Sequence, residues 1–280
     1  MQTEQHPSGT QLKISFIGGG NMASALIGGL ADKLTAVTNL HVVEVNAEAR
    51  DRLVQRGVRT SAAIDAALAD SDIIVLAVKP QQMRAVAVQL KPQLSSQLII
   101  SIAAGIRAVD LSRWLGDYAA IVRTMPNTPA LVGRGITGMV ALAGVTSQQR
   151  ARADAIMCAV GTTVWLDDEA LIDPVTAMSG SGPAYVFYFI EAMQQAGIKL
   201  GLTAAQATQL AIATFSGAAQ LAADATEPVA TLRERVTSKG GTTYAALTSM
   251  QESGVAEAIV RAIEAASARG TALGAEFGKD

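Results

Sequence analysis

Phe16-Ile17-Gly18-Gly19-Gly20-Asn21-Met22-Ala23 follows the apolar run Leu12–Ile17 and opens a segment, Asn21–Lys33, whose apolar residues recur at helical spacing. A glycine-rich turn between a strand and a helix is the arrangement that cradles a pyrophosphate. Gly18 permits the tight turn, Gly20 lets backbone approach the ligand, and Ala23, in the third position of the pattern, lets the helix pack on the strand. The helix N-terminus, at Asn21 and Met22, adds unpaired N–H groups and the positive end of a dipole. A glycine turn with only a packing role is the competing reading. What favours the ligand-binding one is the position of the turn, at the first strand of an alternating pattern.

Outward from that turn, short apolar runs alternate with helical segments as far as residue 167. Leu40–Val45, Ile73–Val78, Leu98–Ile102, Ala120–Arg123, Ile136–Ala141 and Thr162–Leu166 read as strands, several of them continuously apolar as buried parallel strands are. Ala47–Gln55, Ser61–Ala67, Gln81–Leu90, Ala108–Leu115 and Ser147–Val160 read as helices between them. This alternation predicts an α/β fold whose N-terminal domain, residues 11–167, is doubly wound. After Asp167–Pro174 the pattern changes, and the Ala-rich segments Gly182–Gly197, Thr203–Ala223, Pro228–Val236, Thr243–Glu252 and Val255–Ala272 predict an all-helical domain over 168–280.

Composition narrows the function classes. Of the 280 residues, 50% are hydrophobic and only 16% charged, which excludes a disordered, highly charged chain. With 22 basic against 24 acidic residues, the electrostatic footprint of a nucleic-acid binder is missing. No apolar run approaches the ~18–20 residues that span a bilayer, so no membrane partner is expected. Met1–Thr10 reads as a loose polar tail, and the expected location is the cytoplasm. Cys158, in the apolar stretch Ala155–Val160, reads as a small buried hydrophobe. No metal site is expected: there is one cysteine, and the two histidines are His6 in the tail and His41 inside a strand pattern, read as a strand residue.

Further candidates lie where strands end. Glu44, 21 residues past Ala23, stands where a carboxylate would bond the ribose diol of NAD and repel the 2′-phosphate of NADP, a lean towards NADH over NADPH. A solvated strand-end carboxylate is the other reading, and Arg50 nearby could greet a phosphate. Ala77-Val78-Lys79-Pro80, Ala103-Ala104-Gly105 and the loop Arg123–Pro129 each follow a strand, where doubly wound sheets bind ligands. Their small residues would admit the nicotinamide half, and Asn127 could orient an amide or a ribose. Each alone is explicable as turn chemistry. In the helical half, Ser179–Tyr185 and Val236–Tyr244 combine glycines with hydroxyls. In the second, Gly240-Gly241 leads into a helix near Thr243, an anion site of carboxylate size if it is more than a helix-helix turn.

The stretches FIGGGNMA (16–23), AVKP (77–80), SIAAG (101–105), RTMPNTPA (123–130), SGSGPAYVF (179–187) and VTSKGGTT (236–243) closely resemble the pyrroline-5-carboxylate reductase family, in the family's order and over nearly the whole chain. The resemblance implies a Rossmann-type domain, a helical C-terminal dimerisation domain, and reduction of 1-pyrroline-5-carboxylate to L-proline with NADPH or NADH, in a homodimer or higher homo-oligomer. It implies that Gly18–Ala23 bind pyrophosphate and that Ala77–Pro80 with Ala103–Gly105 line the nicotinamide ribose. Ser238, Gly240, Gly241 and Thr242 would then hold the substrate carboxylate, with Thr243 against the ring nitrogen as the catalytic hydroxyl. Two positions depart from the family pattern: Lys239 replaces a proline, and Thr60–Asp65 lack an asparagine expected near the adenosine. The rival readings are a related imine reductase or β-hydroxyacid dehydrogenase, and a non-catalytic dinucleotide sensor.

Overall fold

The computed structural model describes residues 12–31 and 33–279, so the proposed tail and His6 lie outside the described residues. Its strands are β1 Ile14–Ile17, β2 Leu40–Val43, β3 Arg59–Ser61, β4 Ile73–Leu76, β5 Leu98–Ser101, β6 Ile121–Met125, β7 Gly135–Ala141 and β8 Gly161–Trp165. Between them run α1 Asn21–Leu30, α2 Ala47–Val54, α3 Pro80–Leu90, α4 Ala108–Trp114 and α5 Ser147–Cys158. There follow α6 Ile172–Val175, a π-helical turn at Thr176–Gly180, then α7 Gly182–Lys199, α8 Ala204–Asp224, α9 Val229–Arg235, α10 Thr242–Glu252 and α11 Val255–Phe277.

The chain divides into two compact units, one running to Gly180 and regaining the chain from Ala266 onwards, the other Ser181–Ala265. The helical pattern thus starts at 168, but the first 13 residues of that stretch and the last turns of α11 belong to the first unit.

In the first unit an eight-stranded sheet has the order β3-β2-β1-β4-β5-β6-β7-β8. All neighbours are parallel except β6 and β7. The central strands β1, β4 and β5 are buried along their whole length, which is why their sequences are apolar but for the buried Ser15 and Ser101. One face packs Phe16, Leu26, Ile27 and Val75 with α1 and α5; the other packs Ile74, Leu76, Met83, Leu90 and Leu111 with α3 and α4. The connection from β1 to β2 leaves on one side of β1 and the later strands grow from the other, so the order reverses between β1 and β4. That switch point is where such sheets bind ligands, at the carboxyl ends of the strands.

Two expectations are corrected. Ser61–Ala67 is not a helix: Ser61 ends β3 and a 3-10 helix occupies Ala66–Asp70. Ser61 Oγ donates to the Ala63 carbonyl and Asp65 caps Ala67 N–H, local bonds that compete with an α-helical ladder. Cys158 is exposed rather than buried. It ends α5 off the face carrying Ala153, Ile156 and Met157, with Sγ 3.8 Å from Asp154 Oδ2 and 3.7 Å from Thr163 Oγ1.

In the second unit, α7 and α8 pack closely: a Cβ on Gly197 would lie 3.1 Å from that of Ala207, and the Phe189 and Phe215 rings are 6.3 Å apart. Thr203 opens α8 with a capping box to Gln206. Yet α7, α9 and α10 hold no buried residue, and α8 holds only Ala207 and Ala211. Large apolar side chains stand open, Phe187 at 61%, Leu221 at 71% and Tyr188 at 73% exposure.

Candidate functional site

Gly18 leaves β1 at a φ of +99°, a backbone that side-chain-bearing residues avoid, and its N–H donates to Val43 O at 2.8 Å. A Cβ there would lie 2.7 Å from the carbonyl oxygen of Ala77, because the turns after β1 and β4 touch. Gly20 is different. It is the N-cap of α1 with extended backbone, no side chain caps the helix, and a Cβ on it would meet no atom within 4 Å. Its open side is the cleft that it lines.

That cleft, about 640 Å³, is walled by Ile17–Gly20, by Val43-Glu44-Val45 after β2, by Ala62-Ala63-Ile64 after β3, by Ala77–Lys79 after β4, and by one side of α3. Its size and mostly apolar walls are those of a cofactor site. The residues fit a dinucleotide: a turn with no room for side chains, a helix end with orphan N–H groups, and open space beside Gly20. Of the expected cofactor residues, Gly18, Gly19, Gly20, Glu44, Ala77, Val78 and Lys79 are brought together here. Pro80 is the first residue of α3, Asn21 begins α1, Met22 and the buried Ala23 turn towards the core.

Glu44 is not a dangling strand-end carboxylate. Oε2 accepts from Gly19 N–H and Oε1 from Asn46 N–H, both at 2.8 Å, which ties the acid to the glycine turn. Arg50 turns its guanidinium to the carbonyls of Glu44 and Val45, at 2.8 and 3.0 Å.

Ala103–Gly105 and Asn127 follow β5 and β6, beyond that lining. Ala103 is buried, and a Cβ on Gly105 would lie 3.2–3.3 Å from Phe277 and Leu273, so the end of α11 backs this loop. Glu169 accepts from Ala108 N–H and from Arg123 Nη1, the latter at 2.8 Å, and Asp173 accepts from Thr271 Oγ1 at 2.9 Å. Arg123 is buried, and its partners tie β6 and the start of α4 to the 169–173 segment. Asn127 is also buried. Its amide donates to Ser179 O at 3.2 Å and accepts from Ile136 N–H at 3.0 Å, so both ends of the group engage backbone. Sequence reasoning passed over Glu169 and Asp173, which sit in no motif, and took Asn127 for a ligand group rather than a support of the loop.

The hydroxyl-rich segment lies in the second unit, between α9 and α10. Ser238 O accepts from Gly241 N–H at 3.0 Å, closing a turn whose third residue, Gly240, has a φ of +73°. A Cβ on Gly241 would fall 2.5 Å from Ser238 Oγ, so that hydroxyl sits directly over the start of α10. Gly241 caps α10 without a side-chain bond, which leaves the N–H groups of Thr242 and Thr243 facing outwards along the helix axis. Ser238, Gly240, Gly241, Thr242 and Thr243 thus form one hydroxyl-lined helix end, with Lys239 exposed beside it.

Two family models match the chain: pyrroline-5-carboxylate reductase dimerisation over residues 169–273, and NADP oxidoreductase, coenzyme F420-dependent, over 13–105. The chain is 45% identical over 269 residues to pyrroline-5-carboxylate reductase of Pseudomonas aeruginosa, covering 95% of this chain and 98% of that one. Among solved structures, a pyrroline-5-carboxylate reductase of Coxiella burnetii matches with a TM-score of 0.89 at 38% identity, covering 94% of this chain and 99% of the other. One from Plasmodium falciparum, with NADP bound, matches with a TM-score of 0.85 at 32% identity, covering 95% and 100%.

Proposed function

The chain belongs to the pyrroline-5-carboxylate reductase family, and from that membership we propose how its own residues divide the work. The protein is an NAD(P)H-dependent oxidoreductase that reduces 1-pyrroline-5-carboxylate to L-proline, the last step of proline biosynthesis. The observation that carries the cofactor half of the assignment is the side-chain-free cradle at Gly18 and Gly20, opening on a cleft at the switch point of the sheet. Gly18–Ala23 hold the pyrophosphate, and Ala77–Pro80 with Ala103–Gly105 flank the nicotinamide ribose. Asn127 acts on that region by holding the loop after β6 in place.

When bound, the reduced nicotinamide supplies the hydride. The substrate asks little acid–base chemistry of the protein, because a cyclic imine is protonated in water and then accepts hydride readily. What the residues must do is hold and orient. The helix end at Gly241–Thr243 and Ser238 Oγ take the substrate carboxylate, as the positive end of a helix takes an anion. Thr243 Oγ1 donates to, or orients a proton for, the ring nitrogen as the amine forms.

Glu44 is held by two backbone N–H groups beside the cleft, where a carboxylate accepts from a ribose diol and repels a 2′-phosphate, so the preferred cofactor is NADH. The exposed apolar faces of α7–α10 are the contact through which chains pair as a homodimer or a higher homo-oligomer. One free cysteine in 280 residues suits the cytoplasm.

Steady-state kinetics with NADH and NADPH side by side, read as loss of the cofactor's near-ultraviolet absorbance on adding 1-pyrroline-5-carboxylate, test both parts. Consumption of neither cofactor sinks the activity. Glu44→Ser shifts preference towards NADPH; a wild type that already prefers NADPH removes Glu44 as the discriminator.

A further inference from the structure

A chain of hydrogen bonds, buried at Ser71, Ser15 and His41, runs through the first unit and ends on the wall of the cofactor cleft. The Ser71 and Ser15 hydroxyls are 2.7 Å apart, Ser15 Oγ is 3.2 Å from His41 Nδ1, and His41 Nε2 is 3.2 Å from Ser61 Oγ. Ser61 Oγ in turn donates to the Ala63 carbonyl at 2.9 Å. The proton positions follow from counting. A serine has one O–H, and the Ala63 carbonyl can only accept, so Ser61 directs its proton there and must accept from His41. Nε2 therefore carries the imidazole proton. Nδ1 then accepts from Ser15, whose oxygen accepts from Ser71. One neutral tautomer satisfies every member of the chain, and His41, at 3% exposure, is placed for that form.

Both ends of the adenosine side meet at Ser61. Its side chain fixes Ala63, whose neighbours Ala62 and Ile64 also line the cleft, and its backbone carbonyl accepts from Glu44 N–H at 2.9 Å. The wall Ala62–Ile64 has no polar side chain of its own, so its position is set from behind. We propose that His41 is a positioning residue for the adenosine half of the cofactor, acting through Ser61 on the Ala62–Ile64 wall and on the end of β2 at Glu44. This rests on the reading of the cleft as a dinucleotide site. The adenosine half is specified because the end of β2 is where such sheets meet its ribose, whereas the nicotinamide loops follow β4 and β5.

The test is binding of ADP-ribose, which carries the adenosine half and no nicotinamide, to the intact protein by calorimetry, alongside turnover at saturating cofactor. Ser61→Ala and His41→Leu are expected to weaken ADP-ribose at least tenfold and raise the cofactor KM in proportion while kcat holds. Ser61→Thr, which keeps the hydroxyl, restores both. Should His41→Leu fail to fold, Ser61→Ala at the sheet edge carries the test alone. A folded Ser61→Ala variant that binds ADP-ribose like the wild type overturns the proposal, as does an equal loss in kcat that the threonine variant does not rescue. A wild type that does not bind ADP-ribose overturns the dinucleotide reading itself, and this inference with it.

Discussion

Replacing each glycine of the turn by alanine separates what the turn does for the fold from what it does for the cofactor. At Gly18 the φ of +99° and the 2.7 Å approach to Ala77 O both oppose a Cβ, and neither partner can move, since each ends a central strand. Strained backbone costs ~1–3 kcal/mol and overpacking about as much again, so Gly18→Ala should lose roughly 2–6 kcal/mol of stability. For a chain of this size that is a fall in Tm of roughly 5–20 °C. At Gly20 the φ of −68° and ψ of −175° suit alanine, and no atom lies within 4 Å of the new Cβ. Gly20→Ala should therefore melt close to the wild type, since ~0.4–1 kcal/mol of relief in unfolded-chain entropy is offset by a loss of about the same size at an N-cap, where glycine is preferred to alanine. The same methyl stands in the open space proposed for the pyrophosphate. Losing ~2 kcal/mol of that contact raises the cofactor KM about 30-fold. Gly19→Ala falls between, because its Cβ meets side chains rather than backbone, Glu44 Oε2 at 3.2 Å and Leu53 Cδ1 at 3.4 Å. Thermal melting of the cofactor-free protein, with KM for NADH and NADPH, reads both effects. If Gly20→Ala melts with Gly18→Ala, or keeps the wild-type KM, the assignment of the open side of the turn to the cofactor is wrong.

Three further outcomes are expected. Thr243→Val removes the hydroxyl at the helix end, and kcat should fall ~10²-fold or more with cofactor KM little changed; unchanged kinetics removes Thr243 from the mechanism. Burial holds the pKa of His41 below its ordinary 6.5, with the Asp65 carboxylate opposing and Arg59 adding to the depression. The unfolded chain therefore takes up this proton at higher pH than the folded one. Its share of stability is complete above pH 6.5 and is lost as pH falls from there towards the folded value. Denaturant titrations of wild type and His41→Leu should accordingly converge on acidification below pH 6.5, and parallel profiles would refute the reading. Light scattering should give a mass at least twice the 28.9 kDa of one chain, and a monomer would refute pairing through the helical unit.

The sheet was legible because four of its strands, β1, β2, β4 and β5, are mostly apolar and buried along their whole length and all but one of the rest alternate with helical segments in sequence, and the glycine turn because its geometry demands its residues. The eighth strand, Arg59-Thr60-Ser61, was not, for it is three polar residues at a sheet edge, with no hydrophobic pattern to announce it. The same limit hid the supports of the site. Asn127 was singled out as a ligand group by its place after a strand, but which atoms its amide meets depends on Ser179 and Ile136, 52 and 9 residues away. That Leu273 and Phe277 back the Gly105 loop needs α11 to return to the first unit, and no local pattern records such a return. His41 read as a strand residue and is one. Its role in a hydrogen-bonded chain rests on Ser15, Ser61 and Ser71, which come from three separate stretches of sequence.

A reaction that needs orientation more than acid–base power leaves a particular mark on the chain. Its proposed cofactor side is made of backbone, so the residues that would matter there are those that keep side chains away, glycine and alanine, and those that hold turns still, such as Glu44 through the Gly19 N–H. Its proposed substrate side is the start of α10, again backbone with hydroxyls added. The same economy explains the small charged fraction, 16% of the chain. Charge is used where segments must be tied together, at Arg123 with Glu169 and Asp173, and the helical faces that stay apolar in one chain are the ones proposed to meet a second copy. Substitutions that harm such an enzyme should then cluster at glycines, at buried tethers and at the exposed helical faces, with few at titrating side chains.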